Sequence, residues 1–340
     1  MLERPYKGEE NSEENRLYKE FETKINEFVK AYLNEYIPCS YDKTKVIHDP
    51  VWGTCLFYGW ELEILDSPLM QRLRNISQLG LTMLTYPTAH HSRFEHTLGV
   101  MSVITKMVNH INQETTTPTI SGEDFYMLRL AALLHDVGHC FCSHLSESIY
   151  GKQKEFVNLK KNFEIFLTAK EHEIFAYIII NTEEFRKFIK NKVHLWGSNI
   201  NIDRMLVDIG YMIVGANIPA KKLEDGTYER KYYLTQMING QYDADKLDYL
   251  VAIASGLLCG MMDTIVGSIR GMGYGVVPTI VSMLGACGLR LLWIATIFQV
   301  PSLHTPEVLF FSYPVTWTMT FLAHLVCFVI MRRKFPKADE

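Results

Sequence analysis

LLHDVGHCFCSH, residues 133–144, is the stretch on which the reading of this chain turns. It continues the apolar run Ala131-Ala132-Leu133-Leu134, so His135 and Asp136 are ionisable groups placed in a helix interior. Burial there costs free energy unless such groups are paired or hold a metal. His135 and His139 are four apart, on one helix face, and Asp136 sets a hard oxygen beside imidazole nitrogen. Three further stretches have the same chemistry. In His90-His91-Ser92-Arg93-Phe94-Glu95-His96, Arg93 and His96 are three apart. Glu171-His172-Glu173 is the next, and Tyr242-Asp243-Ala244-Asp245-Lys246-Leu247-Asp248-Tyr249 the last. Histidine with carboxylate suits a divalent transition metal: Mn, Fe, Co, Ni or Zn, with Mg as a further candidate. A metal with open positions polarises a phosphoryl oxygen and activates water, and Arg or Lys nearby would stabilise phosphate charge. A lone His on an apolar helix is ordinarily a satisfied core or surface residue, and a lone Arg a solvated charge. The four stretches together carry the metal reading; His48, His110 and His194 lack such company and read as structural.

The rest of the chain bounds this chemistry. Its 340 residues suggest about two domains. The net charge of −4 gives no basic excess that would point to a specific nucleic-acid partner. With 48% hydrophobic and 21% charged residues, wholesale disorder is excluded. The seven cysteines are scattered, odd in number and without a CxxC pair, which reads as free thiols in a reducing compartment. The N-terminal stretch has no apolar core of a secretory signal. Apolar spacings of three and four predict a helix over 15–37, closed by Pro38. Residues 46–65 read as a loop or short hairpin. Ser67 and Pro68 read as N-cap and first residue of a helix running to Gly80. Further helices are expected at 94–112, 123–137, 172–180 and 203–214, with a turn around Asp225-Gly226.

Residues 47–250 resemble the HD-domain phosphohydrolases, closest to the branch containing deoxynucleoside triphosphate triphosphohydrolases. The resemblance rests on IHDPVWG (47–53), SPLMQRLRNISQLG (67–80), YPTAHHSRFEHTLGV (86–100), LLHDVGHCFCSH (133–144), KEHE (170–173) and DADKLDYL (243–250). It implies an all-α bundle around a metal held by His96, His135, Asp136 and Asp245. It also implies phosphate contacts from Arg93, His139 and Lys246, proton transfer involving His144 and His172, and nucleoside contacts at Gln78 and Tyr249. The implied reaction is attack of water on phosphorus, with inorganic triphosphate leaving the nucleoside. Trp52 stands where the family commonly has His, a departure given little weight. After Leu250 the chain reads Val251-Ala252-Ile253-Ala254 instead of the family's Arg-Asp pair and further helices, so the substrate-side wall is missing or replaced.

After Leu250 only four acidic and six basic residues remain. Three segments, 251–269, 276–298 and 308–330, each reach the roughly 20 residues needed to cross a hydrocarbon core, and Arg332-Arg333-Lys334 follows as a cytoplasmic anchor. The stretches 256–298 and 312–324 resemble the last three helices of a MATE-family multidrug efflux transporter, too little for independent transport. The two resemblances conflict: three crossings would put residue 250 opposite the basic end. Either the first segment does not insert or two unrelated reading frames join near residue 250, and the second fits the loss of pattern on both sides.

The sequence therefore predicts a helical extension (1–46), an HD-type domain (47–250) and a transmembrane-like tail (251–340). The expected function is metal-dependent hydrolysis of a nucleotide or other phosphate ester. The alternatives are a transporter fragment with an incidental domain, or a metal-binding domain that recognises nucleotides without turning them over. The HD-type domain is expected in the cytoplasm and the whole chain at a membrane through 251–330.

Overall fold

The computed structural model describes residues 13–39, 41, 44–49, 51–84, 91–115, 119–193, 201–222, 228–229, 231–303 and 306–334. Side chains 252–259 fall outside this description. His90, His194 and Asp225-Gly226 also lie outside the described residues. The chain divides into two compact units, with the boundary between Tyr249 and Leu250.

The first unit packs amphipathic helices around a few that are largely buried. Helix α1 (Glu13–Leu33) precedes a hairpin of β1 (Lys45–Asp49) and β2 (Gly53–Phe57), paired antiparallel with Lys45 opposite Phe57. The rest of the segment expected to be loop or hairpin is helix α2 (Gly59–Leu65). Its first turn is closed by Tyr58 N–H donating to the Glu61 carboxylate at 2.8 Å. Helix α3 (Pro68–Gln71) starts as the sequence predicts, with Ser67 accepting from Met70 N–H at 3.4 Å. It does not reach Gly80: a 3-10 turn ends at Asn75, because Ile76 turns extended and Ser77 bridges to Ser92.

Helix α4 (Arg93–Gln113) opens on a capping box between Ser92 and Glu95, which fixes where Arg93 and His96 begin. Helix α5 (Gly122–Leu134) packs along α4 and buries Leu128, Leu130, Ala131, Ala132, Leu133 and Leu134. From Met127 onward no face of α5 is left for water, so that stretch has no exposed side to pattern. Helices α6 (His144–Tyr150) and α7 (Lys154–Asn162) lead to α8 (Glu171–Asn181), which buries Ile174 and the run Ala176 to Ile180. Thr182 ends α8 and caps α9 (Glu183–Lys192) by accepting from Phe185 N–H at 3.3 Å. Helix α10 (Ile202–Ile213) packs on α5 and α8. Strands β3 (Lys221–Lys222) and β4 (Tyr228–Glu229) and helix α11 (Tyr232–Ile238) precede α12 (Ala244–Gly271), whose first turns carry Asp245 and Asp248. The two hairpins qualify the all-α expectation; the helical framework agrees with it.

In the second unit, α13 (Val276–Ser282) passes through a π-helical turn, Met283–Gly288, into α14 (Leu289–Ala295), and α15 (Pro306–Lys334) packs against all three. The packing face of α15 is polar. Ser312, Thr316, Thr320 and His324, each four residues on, are all buried, and Ser282 Oγ meets His324 Nε2 at 3.0 Å. A Cβ at Gly285 would lie 2.3 Å from Thr320 Oγ1, so glycine sets that approach. The outer surface is apolar, with Val276, Ile280, Met283, Leu284, Leu291, Leu292, Leu322, Val326 and Ile330 exposed. Two stretches, Val276–Gln299 and Pro314–Lys334, are long and apolar enough to cross a membrane, which alone is weak support for a tail in one. The first expected span, 251–269, falls within α12, where side chains 252–259 are not described.

Candidate metal centre

Three elements converge at the C-terminal end of α5. Residues 135–139 leave the helix in a tight turn that lies directly on α8. A Cβ at Gly138 would be 2.0 Å from His172 O and 2.5 Å from Ala176 N, and only glycine permits that contact. Half-buried Arg72 braces the same turn, donating to Val137 O and, at 2.6 Å, to His139 O. His96 reaches the turn from α4 and Asp245 from α12.

His96, His135 and Asp245 bring one donor atom each within 4.8 Å of one another. His96 Nε2 is 2.8 Å from Asp245 Oδ1 and 3.8 Å from Asp136 Oδ2, and His135 Nε2 is 3.4 Å from Asp136 Oδ1. His96, His135 and Asp245 therefore gather around one point, and Asp136 adjoins them through both of its oxygens. Their donor set of two imidazole nitrogens and two carboxylates fits a divalent transition ion. His135 Nδ1 donates to Ala132 O at 2.8 Å, which leaves Nε2 as a lone pair, and that buried nitrogen has no hydrogen-bond partner. An orphaned lone pair aimed at two carboxylates is what a cation site requires.

The electrostatics agree. Burial pulls the His96 imidazole down, but its hydrogen bonds to Asp245 and Asp248 and the charge of Asp136 prevail and push it up to about 10. Burial opposes ionisation of Asp136, yet the Arg93 guanidinium and the rings of His135 and His139 hold it well below the usual carboxylate range. Asp245 is likewise depressed against its burial, through His96. Asp136 and Asp245 are thus held ionised by the cationic groups around them.

A second group adjoins it. His139, His144, Glu147 and His172 bring donor atoms within 4.8 Å of one another and could also hold an ion. Glu147 Oε1 is 2.9 Å from His172 Nδ1, 3.1 Å from His144 Nδ1 and 3.3 Å from His139 Nδ1. The rings of His139 and His172 stack with centroids 3.8 Å apart. Burial raises Glu147, but its hydrogen bonds from His144 and His172 bring it far below its usual value. His139 stands 3.2 Å from Asp136 Oδ1, but neither of its nitrogens has hydrogen-bond alignment; burial drives it down to about 3 and keeps it neutral. Arg93 links the two groups. Its Nη1 donates to Asp136 Oδ2 at 3.0 Å, its Nε to Ser143 Oγ at 3.1 Å and its Nη2 to His144 Nε2 at 3.2 Å. A guanidinium only donates, so His144 Nε2 accepts, and Nδ1 carries the proton given to Glu147. Cys142 and Ser143, at φ 60° and 49°, hold left-handed conformations immediately before His144. Such strain costs about 1–3 kcal/mol per residue and aims the following side chain.

Other expected contacts are placed differently. The Lys246 ammonium sits on Asp243 Oδ2 at 2.6 Å and on Gly240 O, away from both groups. Gln78 touches Arg93 only through its backbone oxygen, and its buried Oε1 has no partner. Tyr249 is half-buried, without a hydrogen bond to either group among the described residues. Two participants had no role in the sequence reading. Glu147 was not singled out; its signal is only its i+3 spacing from His144. Asp248 lies within a quoted motif, and its Oδ2 is 2.6 Å from His96 Nδ1.

Comparison with known proteins is consistent with this geometry. The HD domain family matches residues 93–250. An uncharacterized protein of Methanocaldococcus jannaschii is 33% identical over 221 residues, which are 64% of this chain and 36% of that protein. The deoxynucleoside triphosphate triphosphohydrolase SAMHD1 of Bos taurus is 39% identical over 107 residues, 32% of this chain and 18% of the enzyme. The human enzyme of the same name is 36% identical over 115 residues, 34% of this chain and 18% of its own length. The chain thus spans about a third of the archaeal relative and less than a fifth of these two enzymes.

Proposed function

We propose that the first unit is a metal-dependent phosphohydrolase acting on a nucleotide, with a deoxynucleoside triphosphate as the favoured substrate. The observation that carries this reading is the convergence of His96, His135 and Asp245, with Asp136 adjoining them, beside Arg93 and a carboxylate-anchored histidine group. The HD domain match supports the reaction class, and the named activity of the triphosphohydrolases supports the substrate. A divalent cation held by the four residues would polarise a phosphoryl oxygen and bring water to nucleophilic strength near neutral pH.

The protein's own residues supply the rest. Arg93 holds Asp136 ionised and places positive charge where phosphate charge accumulates. His144, half exposed and backed by Glu147, holds a proton at Nδ1. With His172 on the same carboxylate, it forms the group that would return a proton to the leaving oxygen. Lys246 would have to leave Asp243 to touch a phosphate. Gln78 and Tyr249 are proposed to face the nucleoside.

Metal content and release of inorganic phosphate or triphosphate from dNTPs by the full chain test this function. His135→Ala and Asp136→Ala should each abolish metal retention and lower turnover by at least about 100-fold. Undiminished hydrolysis in both variants rejects the site.

The second unit favours an additional reading, membrane attachment. Its buried face is Ser312, Thr316, Thr320 and His324 while its large apolar side chains are exposed, the reverse of a water-soluble bundle. Residues 251–330 are proposed as a membrane-embedded, MATE-like segment joined to a cytoplasmic HD-type unit, the whole chain being a fusion of unrelated parts. Carbonate-resistant sedimentation with membranes is expected, and recovery of the full chain in the soluble fraction refutes it.

A further inference from the structure

Asp248 is buried between two donors. The Trp52 indole N–H donates to its Oδ1, and its Oδ2 lies 2.6 Å from His96 Nδ1. Its place in the packing is made by a missing side chain: a Cβ at Gly99, one turn beyond His96 on α4, would fall 2.0 Å from Asp248 Oδ1. Trp52 is held as firmly. Asp49 Oδ1 accepts from Val51 N–H at 2.8 Å and from Trp52 N–H at 2.7 Å, which fixes the β1–β2 turn. Lys106 Nζ lies 4.9 Å from the Trp52 ring centroid. An indole N–H can only donate, so Asp248 Oδ1 accepts from it and Oδ2 is left to accept from His96 Nδ1–H.

We infer that Trp52 and Asp248 are positioning residues that lock His96 in the tautomer with its proton on Nδ1, leaving the Nε2 lone pair for the cation. The inference rests on the metal-dependent reading above. A carboxylate accepts on both oxygens, from the indole on one side and from His96 Nδ1–H on the other. An amide at 248 cannot. With its oxygen taken by the Trp52 N–H, its NH₂ faces His96 Nδ1, which must then accept. The imidazole proton is displaced to Nε2, where it blocks the cation. Partners of this kind typically change metal affinity by about 10–100-fold.

The test is Co²⁺ binding to the metal-stripped full chain, followed by calorimetry and by the visible spectrum of the bound ion. Asp248→Asn should weaken Co²⁺ binding by about 10–100-fold and Trp52→Phe by about tenfold. Trp52→His, which returns a ring N–H to the same place, should recover most of the loss. In the Trp52→Phe background the amide is free to rotate its oxygen to His96, so the added cost of Asp248→Asn should shrink. Should Asp248→Asn not fold, the Trp52→Phe and Trp52→His pair decides the question alone. Wild-type affinity and spectrum in Trp52→Phe or Asp248→Asn overturn the inference and leave the metal centre standing. Absence of Co²⁺ binding by the wild-type chain overturns the metal-dependent reading itself, and this inference with it.

Discussion

Glycine decides the centre as much as its ligands do. At Gly99 the obstacle to a methyl group is a carboxylate that is itself pinned on both oxygens, so it cannot swing aside. Gly99→Ala should lower stability by about 1–3 kcal/mol, as overpacking does, and reduce bound metal in the same preparation. A variant with full metal content and unchanged thermal midpoint contradicts the placement of Asp248. At Gly138 the obstacles are backbone atoms of α8. Gly138→Ala should therefore displace the His135–Asp136 turn and remove phosphate release even where the protein still folds, as circular dichroism and a turnover assay would show. The proposed ligands could be read in the sequence because their types and order are distinctive. Asp248 and Glu147 could not, because what marks them is contact with His96 and His172, 152 and 25 positions away.

Between elements, ion pairs fix docking where apolar contact alone would permit sliding. Asp124, in the first turn of α5, accepts from Lys231 Nζ at 2.6 Å and from Tyr233 OH at 2.8 Å, tying α11 to α5. Burial would raise Asp124, but Lys231 and Tyr233 hold it below its usual value. A carboxylate with a depressed folded value adds stability above its unfolded value and loses it as the pH falls through the folded one. Asp124→Asn should cost about 1–3 kcal/mol at pH 7, and the gap to wild type should narrow as the pH drops below about 4. Urea midpoints at pH 7 and pH 3.5 measure this, and a constant gap refutes it. Helix starts were legible at this scale, as Ser67-Pro68 shows. The end of that segment was not, because the Ser77–Ser92 bridge that sets it lies outside any local pattern.

For the whole molecule, the two units obey different rules. The first has an apolar interior with its buried charges paired; the second buries hydroxyls and exposes hydrocarbon. Metal should therefore stabilise only one of them. A ligand at 100 times its dissociation constant adds about 2.7 kcal/mol to the state that binds it. Saturating Mn²⁺ should slow hydrogen exchange in the core of α5 by about 100-fold and leave α15 unchanged. Equal slowing in both helices, or none in α5, contradicts that division.

One oxygen of Glu147 serves three rings. A mutational survey scored only on function would rank this glutamate with the residues that grip the ion, since its loss frees the two imidazoles hydrogen-bonded to it, His144 and His172, at once. Metal content would tell the two classes apart: without Glu147 the protein should emerge loaded but idle.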